Sequence, residues 1–210
     1  MITKEFCAEN LTDLHRLVGT DITRVELCDN LAVGGTTPSY GVIKEAARFL
    51  HDNQISVATM IRPRGGDFVY NDIELRIMEE DILHAVELES DALVFGCLTP
   101  DNRIDIEAIE QLLPACQGVD MVFHMAFDLV PIAEQTTALD QLIELGFKRL
   151  LLHGSEKRHN IFDNIDHIKT LISHADGRIE ILLGGGVNKT NYADLLAQTG
   201  TNQVHGTGLL

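Results

Sequence analysis

Three groups of polar residues in this chain are ones a plain apolar core would not choose. Arg62 and Arg64 flank Pro63 and run into Gly65-Gly66. Two guanidinium forks therefore stand beside a backbone that is free to adopt left-handed angles and turn its N–H groups outward, which outlines an anion site. Glu26, His124 and Asp128 are the side chains that could exchange a proton with a ligand held there. Cys7 and Cys28 point to different chemistry, since two thiolates select a soft ion such as Cu(I) over a hard one.

Each group also has a plainer explanation. Arg and Glu can close a barrel as a polar plug, because a buried charge left unpaired costs several kcal/mol, of order 3–5 where one partner is removed. The four cysteines, Cys7, Cys28, Cys97 and Cys116, include no CxxC pair. In a reducing compartment they read as free thiols, with Cys97 and Cys116 purely structural.

For these residues to meet, the chain must bring strand ends together. Short β-branched or apolar runs alternate with longer helical patterns throughout, the mark of repeated β-α units and a parallel sheet. Eight strands are predicted, near residues 2–8, 22–28, 55–61, 92–97, 120–126, 149–153, 179–183 and 203–206, with seven helical segments between them. The clearest helix lies in 71–90, where Ile73, Ile77, Ile82, Ala85 and Val86 suggest an apolar stripe opposite Glu74, Glu79, Glu80 and Glu87. Eight strands favour closure into a single TIM-type (β/α) barrel spanning residues 1–210, with a doubly wound open sheet as the alternative. The final helix of such a barrel is missing or atypical, because the sequence ends just after the eighth strand.

A barrel's functional side chains gather where strands end, and the two-residue strand period selects the inner face. On that basis Glu5, Cys7 and Glu9 point inward from the first strand, Glu26 and Cys28 from the second, Arg62 and Arg64 from the third, and His124 and Asp128 from the fifth. Glu26 would be paired by Arg62 or Arg64. Gly184, Gly185 and Gly186 follow the seventh strand and His205-Gly206-Thr207-Gly208 follows the eighth, the two loops where many barrels hold a phosphate. Thr37, after Gly34-Gly35, is expected to cap the helix beginning near Pro38. His124, His153 and His205 are the strand-end histidines, on strands that are not all neighbours.

Composition narrows the partners. With 16 Lys+Arg against 32 Asp+Glu the net charge is −16, which repels a phosphate backbone and argues against nucleic acid. Hydrophobic residues make up 45% of the chain, as expected of a soluble globular protein, and no run approaches the roughly 18 apolar residues of a membrane span. The opening residues show no basic-then-apolar leader, so a cytoplasmic location is expected. A homodimer is left open, since barrels of this size often pair.

The segments RVELCDNLAVGGTTPSYG (24–41), MIRPRGGDFVYNDIELRIMEEDI (60–82), FHMAFD (123–128) and LLGGGV (182–187) resemble the CutC family of copper homeostasis proteins. The resemblance runs in order over nearly the whole chain. It implies a TIM-type barrel, a cytoplasmic location and Cu(I) bound by cysteines, with the family's copper cysteines on strands one and two matching Cys7 and Cys28. Met125 stands where the family usually has Arg, and strand parity would turn it outward or sideways. Two functions follow as expectations. One is copper handling through Cys7 and Cys28. The other is an enzyme on a small anionic metabolite, phosphorylated or not, with Arg62 and Arg64 as clamp, Glu26, His124 or Asp128 as acid/base, and the loop of Gly184, Gly185 and Gly186 on any phosphate.

Overall fold

A computed structural model describes every residue except Met1 and Arg158. Eight parallel strands close into a barrel in sequence order: β1 (Thr3–Glu9), β2 (Arg24–Cys28), β3 (Ser56–Met60), β4 (Ala92–Phe95), β5 (Asp120–Phe123), β6 (Arg149–Leu152), β7 (Glu180–Leu183) and β8 (Gln203–Gly206). Closure is made by β8 lying beside β1, with Glu5 opposite His205.

Six α-helices pack outside: α1 (Tyr40–Asp52), α2 (Asp72–Glu87), α3 (Ile106–Leu112), α4 (Gln135–Glu144), α5 (Ile165–Ala175) and α6 (Tyr192–Thr199). The seventh expected helical segment, between β1 and β2, is only a 3-10 turn over Leu14–Leu17. Among the described residues no helix follows β8, and the buried Leu209 packs into the core there instead. No helix among them is long and apolar enough to cross a membrane.

Strand alternation divides the core in two. Phe6, Val25, Leu27, Val57, Leu93 and Phe95 join the large cluster between sheet and helices. Cys7, Cys28, Ala58, Met60, Val94 and Leu182 form a separate cluster in the barrel interior.

The first residues of several strands close the bottom with charge. Arg24 bonds Glu5 and donates to Gln203 (2.9 Å), Gln203 donates to Glu180 (2.8 Å), and Arg149 pairs with Asp120 (3.3 Å) and Glu180 (3.7 Å). A polar plug therefore exists, but not the expected pairing of Glu26 by Arg62 or Arg64 at the mouth: it is built at the N-terminal ends of the strands from other residues.

The face of α2 differs from the expected stripe. Ile73 and Ile77 are 63% and 45% exposed, while Leu75, Met78, Ile82 and Ala85 are buried. Ile82 and Ala85 fit either phase of the helical period, so the sequence pattern admitted a stripe rotated from the real one. The helix is started by a capping box: the Asn71 side chain accepts from Ile73 and Glu74 N–H, and Glu74 accepts from Asn71 N–H at 3.0 Å. Asn71→Ala is expected to cost about 1 kcal/mol in urea unfolding, and Asn71→Ser to restore most of it.

Candidate functional site

The C-terminal ends of the strands open into a cavity of about 660 Å³. Its floor is Cys7, Glu26 and His205; its walls include Met60, Arg62, Phe68, His124 and Met125; the loops after β7 and β8 form its rim.

At the floor, β1–β2 pairing sets Cys7 opposite Glu26, and both thiols converge on one carboxylate oxygen. Cys7 Sγ lies 3.4 Å and Cys28 Sγ 3.5 Å from Glu26 Oε2. Cys7 lines the cavity, while Cys28 is wholly buried behind it. Barrel closure delivers His205 to the same place, with its Nδ1 2.8 Å from Glu5 Oε1 and its Nε2 3.6 Å from Glu26 Oε2. Donor atoms of Cys7, Glu26 and His205 all lie within 4.8 Å of one another.

The charges follow from this packing. Burial opposes ionisation of Glu5, but the charge of Arg24 and the hydrogen bond from His205 outweigh it and bring the carboxyl down to about 2. Burial would lower His205; its coupling to the Glu26 carboxyl and its contacts with Cys7 and Glu5 overcome that and push the imidazole well above its usual range. A hydrogen bond from Cys28, followed by those from His205 and Glu26, pulls the Cys7 thiol down against the effect of burial. Cys28, the donor to Cys7, is pushed up by that bond and by burial. Burial, reinforced by Cys7 and Glu5, raises Glu26 to about 8 despite the charge of His205. The packing of the floor thus favours the thiolate of Cys7 and the imidazolium of His205, and favours the protonated forms of Cys28 and Glu26.

The other expected site residues are divided. Arg62 lines the mouth, but its Nη atoms are used on Val33, Gly35 and Gly66 carbonyls (2.9, 3.0 and 2.7 Å), and it does not pair with Glu26. Arg64 is not a wall residue: it bonds Glu74 (2.5 Å), Asp67 (3.0 Å) and the Val69 carbonyl (2.8 Å). β3 ends at Met60, so alternation no longer holds at Arg64. Asp128 sits on a 3-10 turn after β5, outside the cavity lining, and accepts from His153 N–H (3.0 Å) and Gly154 N–H (2.8 Å). That turn also swings Met125 into the wall, against the parity expectation. Glu9 is exposed at the end of β1 and accepts from Leu31 N–H. Thr37 accepts from Arg62 N–H, and Ser39 is the actual cap of α1.

His124 is in the wall. Its Nδ1 accepts from Ala126 N–H, and burial followed by the charge of Arg62 lowers its pKa to about 3, so the ring is neutral. Gly185 and Gly186 reach the rim while Gly184 lies beneath it, where a Cβ would come within 2.8 Å of Leu151 and 3.1 Å of His205. His205 is the floor residue that strand parity alone did not bring to Cys7; the signal was available in barrel closure, which makes the first and last strands neighbours.

Residues 2–209 match the model of the CutC family. A relative from Streptococcus pyogenes serotype M6 bearing the name CutC is 63% identical over 207 residues, 99% of each chain. One from Enterococcus faecalis with the same name is 47% identical over 207 residues, again 99% of each. A crystal structure from Streptococcus agalactiae, provisionally described as the copper homeostasis protein CutC, is 66% identical, has a TM-score of 0.99 and covers 100% of both chains.

Proposed function

The chain belongs to the CutC family, and from that premise we propose that it handles copper by taking up Cu(I) on Cys7 and Cys28 at the barrel floor. The observation that carries this is the convergence of both sulfurs on a single oxygen of Glu26. The residues whose donor atoms could meet on one ion are Cys7, Glu26 and His205, and the Cys28 sulfur, 3.5 Å from the same Glu26 oxygen, would supply the second soft ligand. The Cys7 thiol is pulled down and the Cys28 thiol pushed up, so uptake would displace at least the proton on Cys28 and affinity should rise with pH. Copper here is cargo, entering by the open mouth and meeting Cys7 first. A site of two reduced thiols belongs in a reducing compartment, which supports a cytoplasmic location.

The acid–base alternative loses two of its expected parts, because Asp128 is committed to loop amides and Arg64 to Glu74. What remains for it at the cavity is Arg62, Glu26, His124, Gly185 and Gly186, with His205 between Glu5 and Glu26.

Cu(I) titration against a competing chelator should give one ion per chain. Cys7→Ser and Cys28→Ser should each weaken binding on the order of 100-fold, and Cys97→Ser should leave it unchanged. Equal affinity in wild type and both floor variants would remove the cysteines from the site.

A further inference from the structure

The mouth is far larger than a single ion requires, and its wall contains a charge that the copper reading does not use. Arg62 is 3% exposed. The other buried arginines, Arg24 and Arg149, each have a carboxylate within ion-pair distance, whereas Arg62 has none among the described residues. Three carbonyls accept from its Nη atoms, and its Nε has no acceptor. Carbonyl dipoles soften a buried cation without neutralising it.

A second donor lies on the same wall. His124 is 4% exposed, and because its Nδ1 accepts from Ala126 N–H the ring proton is on Nε2, which also has no acceptor. Phe68 packs against both residues, 4.6 Å from the Arg62 guanidinium carbon and 4.7 Å between ring centroids from His124. All three line the cavity. The wall thus offers one positive charge without a carboxylate partner and an apolar surface, with the two unused N–H groups buried just behind it.

We propose that the mouth holds, beside Arg62 and His124, the oxyanion of a small organic ligand, a carboxylate or phosphate monoester, with its uncharged part against Phe68 and Met125. The anion supplies the countercharge that Arg62 lacks, and a small rotation of each side chain towards the cavity would bring the two buried donors to it. This site is separate from the thiols and does not depend on copper binding.

The probes are inorganic phosphate, glycerol 3-phosphate and lactate, each titrated at constant ionic strength set with sodium chloride and followed by thermal unfolding and calorimetry. At least one should raise the melting temperature saturably above the chloride control, and the phosphate and carboxylate arms decide which oxyanion is preferred. Arg64→Gln and the Cys7→Ser/Cys28→Ser double variant should respond like wild type, while Arg62→Gln should lose the response. If Arg62→Gln fails to fold, His124→Phe takes its place, with affinity expected to fall at least about tenfold. No saturable response to any probe in wild type overturns the proposal, as does an undiminished response in the folded Arg62 or His124 variant.

Discussion

Replacing Arg24 with alanine is expected to destabilise the barrel by about 3–5 kcal/mol, because it strands the Glu5 carboxylate in the interior. Glu5 is 1% exposed and stays ionised down to a pKa of about 2, with Arg24 and His205 as its two charged partners. Removing Arg24 also frees the Gln203 side-chain oxygen that it holds. Urea unfolding at pH 7 measures the loss. The paired replacement Arg24→Met with Glu5→Gln should recover much of it, since a buried ion pair replaced as a unit leaves no lone charge. A cost below about 1 kcal/mol for Arg24→Ala would mean that Arg24 is not what offsets the burial of Glu5. The pH dependence has a fixed sign. A carboxyl brought below its ordinary value contributes stability that is present above about 4.5 and is lost as the pH falls towards about 2.

Glu26→Gln is expected to act in the opposite direction and stabilise the protein at pH 7, by about 3 kcal/mol. In the unfolded chain this carboxyl ionises near 4.5; in the barrel burial keeps its proton on until about 8. The wild type therefore loses stability from Glu26 as the pH rises between those values, and glutamine, which cannot ionise, does not. Stability profiles of the two proteins should nearly coincide near pH 5 and diverge to a maximum gap near pH 8. Parallel profiles across that range would show that Glu26 does not hold its proton. Such a cost, borne at the floor of an open cavity, supports the proposed site there.

How much of this was legible in the sequence depends on how local the cause is. The eight strands were readable because each is a short β-branched or apolar run, and alternation along β1 and β2 correctly turned Glu5, Cys7, Glu26 and Cys28 towards one another. Alternation failed where strands had already ended. Arg64 lies four residues past β3, and Asp128 and Met125 are on a 3-10 turn, so a period of two no longer describes where they point. Arg62 illustrates a different limit. Its position in the mouth was readable, but its partners, the carbonyls of Val33, Gly35 and Gly66, are backbone groups that no residue type announces. Ile73 and Ile77 were misplaced because two phases of the helical period share Ile82 and Ala85.

The closure of β8 on β1 has a consequence for how the protein is made. Glu5, with Cys7 close behind it, leaves the ribosome two hundred residues ahead of His205, which favours ionisation of Cys7. Until that last strand docks, Cys7 lacks its imidazolium neighbour and Glu5 has at most Arg24. The thiol acquires its full set of neighbours only once β8 has been made and docked, so a product stalled before that strand carries the cysteines without the chemistry.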